Sequence, residues 1–178
     1  MKVICISGKA GSGKDTFANF LKMEIKERNK SVLITHYADL LKYICKQFFG
    51  WNGEKDEAGR TLLQQVGTNR IRAVSPDYWA DFLVNFLGMF KDEWDYVLIP
   101  DCRFPNEVEL FRHYGFDTTL VRVERDAPST LTEAQRNHPS ETALDDYGFD
   151  YIVDNNHSLM MLQCAAEELL DDLEGEVV

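Results

Sequence analysis

Cysteine, proline and basic residues are all scarce in this chain of 178 residues. The four cysteines, Cys5, Cys45, Cys102 and Cys164, are widely spaced and form neither a C-x-x-C pair nor a metal-finger spacing. That excludes a disulfide-stapled secreted scaffold and a zinc module, and it fits reduced, buried thiols in a cytoplasmic protein. No apolar run approaches the roughly 18 residues that a membrane-spanning helix needs, so no membrane partner is expected. The apolar start, MKVICIS, leads into a glycine loop rather than a small-residue cleavage site, and reads as a buried strand rather than a signal peptide. Lys and Arg number 19 against 30 Asp and Glu, a net charge of −11. Such a balance disfavours nucleic-acid polymers and anionic membranes as partners. Part of the acidic excess lies in EELLDDLEGEVV, which reads as a solvated helix face running into a tail.

What the chain does have is enough apolar residues, 44%, to bury a core and fold alone. KVICIS at 2–7 is a short continuous apolar run of the kind found in buried parallel sheets. SVLITHY at 31–37, DYVLIP at 95–100, FDTTLVRVER at 116–125 and DYIVD at 150–154 read as further strands. Helical periodicity separates them: from Lys14, over 38–50, from about Arg60 to Val74, over 105–114 and from about Ser158 to Leu173. Another helix begins at Ser75-Pro76, with serine as N-cap and proline at the first position. The polar stretch 126–148 holds a short helix with a Thr130–Glu133 capping box. Strands alternating with helices predict one α/β domain, a largely parallel sheet covered on both faces. Ligands of such sheets bind beyond the carboxyl ends of the strands. Ser7, Tyr37, Asp101, Arg125 and Asn155 lie at those ends and are expected to converge on one crevice.

GKAGSGKDT, 8–16, nearly spells the phosphate-binding pattern G-x-x-x-x-G-K-[ST]. Gly8, Gly13 and Lys14 fit, and the preceding strand and following helix supply the required context. The glycines let backbone N–H groups of Gly11, Ser12 and Gly13 turn toward a phosphate chain. The helix N-terminus adds its positive dipole end, and Lys14 adds a charge. Asp15 replaces the usual hydroxyl residue. It is a routine first-turn acid in most helices, but beside a triphosphate it repels unless magnesium intervenes. Either Asp15 or the hydroxyl of Thr16 is placed to meet that ion.

A phosphate loop alone fits kinases, switch GTPases and motor ATPases. The base-reading N-K-x-D of switch GTPases is missing from the sequence. The segment 38–90 concentrates Lys42, Arg60, Arg70, Arg72, Tyr78 and Trp79, groups suited to phosphates and to a base. Taken singly, Trp79 fits core packing better, because its neighbours at helical spacing are apolar. His138, before a proline, fits an extended loop residue better than a catalytic one.

Read together, GKAGSGKDT, YADLLK, GRTLLQQVGTNRIR with PDYWAD, IPDCRFPNEVE, HPSE and DYIVDN resemble, in that order, the bacteriophage-type deoxynucleoside monophosphate kinases. The most specific parts are the GKD loop, the R-x-x-x-Q-x-x-G-T-x-x-R pattern and D-x-R-F-x-x-E. The resemblance implies a three-layer P-loop NTPase fold with a mostly parallel five-stranded sheet in a single domain, 1–178. It further implies a monophosphate-binding insertion at about 38–90 and a lid at about 126–148. The implied reaction moves the ATP γ-phosphoryl group to a deoxynucleoside monophosphate, with magnesium as cofactor. Gly11, Ser12, Gly13, Lys14, Asp15, Thr16 and Asn155 would serve the donor. Asp39, Lys42, Arg60, Gln64, Arg70, Trp79, Asp101 and Arg103 would serve the acceptor, with Arg72 the alternative to Arg70. Arg125 and Arg136 would clamp the transferring group, and Glu141 would pair with a lid arginine. The setting would be the cytoplasm, the host's for a phage protein, and a homodimer is left open. Competing readings are a kinase for a small non-nucleotide phosphate such as phosphomevalonate, and a protein that holds ATP without transfer.

Overall fold

The computed structural model describes residues 1–126 and 131–175. Its strands are β1 (Lys2–Ser7), β2 (Val32–Ile34), β3 (Tyr96–Ile99), β4 (Asp117–Glu124) and β5 (Tyr151–Asp154). The helices are α1 (Lys14–Glu27), α2 (Ala38–Phe48), α3 (Glu57–Gln64), α4 (Tyr78–Met89), α5 (Pro105–His113), α6 (Glu133–Arg136), α7 (Pro139–Thr142) and α8 (Leu159–Glu174). The sheet order is β2-β3-β1-β4-β5, and every pairing is parallel. β1 is central, with Ile4 opposite Leu98 of β3 on one side and Thr119 of β4 on the other.

The apolar run of β1 is continuous because both of its faces are covered. Successive side chains of a strand point to opposite faces. Val3 and Cys5 therefore enter one core, while Ile4 and Ile6 enter the other. α1 and α8 cover the Ile4 face with Phe17, Leu21, Ile25, Leu162 and Leu170. α2, α4 and α5 cover the Val3 face with Leu41, Leu83, Leu87, Val108 and Phe111. Full burial of one such side chain stabilises a fold by about 1.5–3 kcal/mol.

Several boundaries differ from those read in the sequence. β2 is only three residues long; the Thr35 N–H still bonds the Leu98 carbonyl at 3.0 Å, and His36 and Tyr37 then lead into α2. The helix expected from Arg60 begins earlier, at Glu57, where Asp56 accepts a hydrogen bond from the Gly59 N–H at 2.7 Å. It then widens into a π-helical segment, Gln65–Arg72. α4 begins at Tyr78 rather than at Ser75-Pro76, which form the turn before it. The short helix α6 is capped by Thr132 and Gln135, whose side chains and backbone N–H groups bond reciprocally. Thr130 of the expected capping box lies outside the described residues.

Candidate active site

The phosphate loop joins β1 to α1 and is shaped by two glycines that no other residue replaces without rearrangement. Gly8 has φ 150°, and a Cβ there would lie 2.4 Å from the Val123 carbonyl oxygen. Gly13 has φ 98°, and a Cβ would lie 2.3 Å from Asn155 Nδ2. Asn155, just after β5, donates from Nδ2 to the Ser12 carbonyl at 2.8 Å and ties the loop to the end of β5, two strands away. Lys14 is buried in the loop and donates to the carbonyls of Gly8 and Lys9 at 2.7 and 2.8 Å. Burial, with Arg103 nearby, lowers its pKa to about 8. Ser12 Oγ is buried without a hydrogen-bond partner, so the loop carries a polar group suited to a ligand oxygen.

The loop opens into a cavity of about 440 Å³, within the roughly 300–1,000 Å³ common for small-molecule sites. Its walls include Lys14, Lys42, Lys55, Arg60, Arg72 and Arg103, six of the chain's 19 basic residues. An acidic protein that concentrates cations in one cleft is built to attract an anion there. Gln64, Gly67 and Thr68 line the same wall. Gly67 sits so close to α2 that a Cβ would meet Leu41 Cδ2 at 2.6 Å. Trp79 is buried in the core yet borders the cavity, and its indole N–H donates to the Gly67 carbonyl at 3.2 Å. Tyr78 packs edge-on against Trp79 but is largely exposed.

The floor is set by the segment after β3. Both oxygens of Asp101 accept backbone N–H groups, of Tyr37 and of Ala38, each at 3.0 Å. Asp101 thus caps the start of α2 while bordering the cavity. Glu107 is buried and accepts from the N–H groups of Arg103 at 2.6 Å and Phe104 at 3.1 Å. Its other oxygen holds Arg72 at 2.6 Å. The Arg72 guanidinium also lies 3.9 Å over the Phe104 ring. Burial pushes the Glu107 pKa up to about 7, against the opposing pull of Arg72 and the two N–H donors.

The structure brings together some of the expected residues and not others. Gly11, Lys14, Asp15, Lys42, Arg60, Gln64, Trp79, Asp101 and Arg103 border the cavity. Ser12, Gly13 and Asn155 lie behind it, as the loop's frame. Asp39 is set back from it, paired with Lys42 at 2.8 Å and with His36 at 3.2 Å. Of the two arginine candidates, Arg72 borders the cavity and Arg70 is exposed away from it. Thr16 is exposed on α1 and does not reach the cavity, whereas Asp15 does. The lid arginines are not brought in either. Arg125 is exposed, and Arg136 donates to the Leu131 carbonyl at 3.0 Å. Of the five strand-end residues expected to converge, Tyr37 and Asp101 border the cavity, and Ser7, Arg125 and Asn155 do not. His138 caps α7, accepting the Ser140 N–H at 3.2 Å.

Sequence reasoning did not single out His36, Lys55 or Gln135, which all border the cavity. His36 approaches Asp15 at 3.9 Å, and each favours the other's charged form, lowering the Asp15 pKa and raising that of His36. The usable signal for His36 was its place beside Tyr37 at a strand end. Glu141 pairs not with a lid arginine but with Arg103.

The donors fit magnesium in one particular way. No group of three or more His, Cys, Asp or Glu residues suited to a metal occurs among the described residues. A magnesium ion here would be held by one carboxylate, Asp15, together with substrate phosphate oxygens and water, which is how this ion is commonly bound.

Comparison with known proteins agrees with this architecture. The chain is similar to the APS kinase of Mycobacterium tuberculosis solved with AMPPNP and APS, with a TM-score of 0.56 over 97% of each chain at 15% identity. That likeness shows the fold. Phosphomevalonate kinase of Drosophila melanogaster is 27% identical over 98% of this chain and 97% of its own length. Deoxynucleoside-5'-monophosphate kinase of Escherichia phage T5 is 38% identical over 48% of this chain, a match spanning 34% of that relative's length. Among the described residues no helix is long and apolar enough to cross a membrane. The deoxynucleotide monophosphate kinase family model matches residues 33–165, from β2 into α8, and the chain belongs to that family of kinases.

Proposed function

We propose that this kinase transfers the γ-phosphoryl group of ATP to a deoxynucleoside monophosphate, giving the diphosphate and ADP. The observation that carries the reading is the cavity in which the phosphate loop faces Arg60, Arg72, Arg103 and Trp79. In this reading residues 38–90 form the acceptor-binding insertion and 126–148 the lid of a single domain. Loop N–H groups, Ser12 and Lys14 hold the donor phosphates. Arg103 and Arg72 receive the acceptor phosphate in their planar forks. Trp79 walls the base, with Gln64 and Thr68 beside it. Arg125 and Arg136 stand outside this set.

Phosphoryl transfer needs alignment and charge stabilisation more than covalent help. The acceptor phosphate oxygen is itself the nucleophile, so no general base is assigned. Cations of the two walls stabilise charge on the transferring oxygens, and lid residues Leu131 and Gln135 exclude water from the cleft. Magnesium, held by Asp15, would neutralise the donor phosphates when bound. Asp101, with each oxygen accepting one N–H group, fixes the β3 end relative to α2. A cytoplasmic setting accompanies this reading.

A coupled ADP-release assay with dAMP, dCMP, dGMP, dTMP and phosphomevalonate tests it. ADP release dependent on at least one deoxynucleotide is expected. Release with phosphomevalonate alone would transfer the reading to the non-nucleotide acceptor, for which the full-length similarity to a phosphomevalonate kinase speaks. ATP binding with no transfer would leave a binding protein. Lys14→Met is expected to abolish turnover with the fold unchanged by circular dichroism.

A further inference from the structure

One carboxylate in the cleft is placed where an anionic ligand is expected. Glu141, on the lid helix α7, has a side chain only 8% exposed. Its Oε1 pairs with the Arg103 guanidinium, and its Oε2 accepts the N–H of Ala10, inside the phosphate loop, at 3.3 Å. Its backbone carbonyl accepts Lys9 Nζ at 2.6 Å, and the Ser140 carbonyl accepts Arg103 at 2.8 Å. Lys9 is further paired with Asp145. A lid side chain therefore bonds at once to a loop amide and to the arginine assigned to the acceptor phosphate. Both are donors that a phosphate oxygen would use, and a carboxylate presents the same charge sign and acceptor geometry.

We propose that Glu141 is a built-in competitor for substrate phosphate, and that its displacement by the donor triphosphate couples the two substrate sites. The proposal rests on the assignment of the loop to the donor and of Arg103 to the acceptor. A γ-phosphate approaching the Ala10 amide meets the Glu141 carboxylate by like-charge repulsion and by competition for the N–H. Once Glu141 leaves the amide, its hold on Arg103 loosens as well, and the guanidinium becomes available to the acceptor. Donor binding then raises acceptor affinity, and linkage requires the acceptor to raise donor affinity by the same factor.

Isothermal titration of the full chain with a non-hydrolysable ATP analogue and magnesium tests this in the wild type and in Glu141→Gln. The glutamine keeps the size and the carbonyl but loses the charge. The variant is expected to bind the analogue on the order of tenfold more tightly, as loss of a charged hydrogen-bond competitor implies. Equal or weaker binding overturns the proposal. A gain of affinity cannot arise from a damaged fold, and Glu141→Ala provides the same comparison if the glutamine variant fails to fold. The second measurement is the affinity for the best-accepted deoxynucleotide with and without the analogue. Tightening of about tenfold in the wild type that is lost in Glu141→Gln supports the coupling; tightening of equal size in both overturns it. If the wild type turns over no deoxynucleotide, the functional reading falls, while the analogue comparison still decides the role of Glu141.

Discussion

Glu107 illustrates a side chain whose chemistry runs against its surroundings. It is buried, yet it holds Arg72 and two backbone N–H groups, and burial still raises its pKa from 4.5 to about 7. As pH rises from 4.5 toward 7, the unfolded chain releases this proton while the folded protein keeps it. The folded state binds the extra proton, so stability from this group is full below pH 4.5 and is lost as pH approaches 7. Relative to Glu107→Gln, which does not titrate, the wild type should lose on the order of 3 kcal/mol over that window, because each tenfold difference in proton affinity between the two states is worth about 1.36 kcal/mol. Denaturant unfolding at several pH values measures the difference, and a difference independent of pH would contradict it. The carboxylate is thus costly at neutral pH, which argues that it is retained to position Arg72. The same variant should raise KM for the deoxynucleotide about tenfold or more, with a smaller effect on KM for ATP. That Arg72 rather than Arg70 borders the cavity was not legible in the sequence. The R-x-x-x-Q-x-x-G-T pattern fixes which residues are neighbours, but the side chains' directions depend on a π-helical widening over Gln65–Arg72. That widening sits where Gly67 closes against Leu41, a contact between two helices.

The loop between β1 and α1 was legible because its signal is local: a strand, glycines, a lysine and a helix in direct succession. What frames it was not. Asn155 bonds the Ser12 carbonyl across 143 residues of sequence, and no pattern near either residue announces the pair. The expectation that Asn155 serves the donor came from its strand-end position and from the family resemblance, whereas its buried amide donates to the loop carbonyl of Ser12. Removing the amide leaves the Ser12 carbonyl without that donor and opens space beside Gly13. Asn155→Ala should therefore loosen the loop and weaken ATP binding about tenfold, with kcat at saturating ATP changed less, since the lost bond positions the loop rather than touching the transferring group. Titration calorimetry and steady-state kinetics together check this split; equal losses in kcat and affinity would assign Asn155 to the reaction itself. The lid shows a different limit. A short helix was legible in the segment proposed as the lid, but that segment's attachment to the loop through Glu141, Lys9 and Asp145 depends on contacts far apart in sequence.

The topology explains why so acidic a chain can gather cations at one place. β1 is flanked by β3 and β4, so the loop after β1 and the Asp101–Arg103 segment after β3 leave the sheet side by side. The crevice lies beyond the carboxyl ends of the parallel strands, where this class of sheet binds ligands. The 38–90 segment, which begins with α2, brings Arg60, Arg72 and Trp79 to the same cavity as the loop. With donor and acceptor sites proposed at one sheet end, ligands are expected to stabilise the whole molecule, since the unfolded chain has neither site. At about 100 times Kd a ligand adds about 2.7 kcal/mol, which for a protein of this size corresponds to a rise in Tm of roughly 5–10 °C. Magnesium–ATP should produce such a rise and ATP in EDTA a smaller one. The two should converge in Asp15→Asn if that carboxylate supplies the protein's hold on the ion. An unchanged gap between the two conditions in Asp15→Asn would show that magnesium is held by the phosphates and other groups, and that the acid in the first turn of α1 serves the helix dipole and its contact with His36 instead.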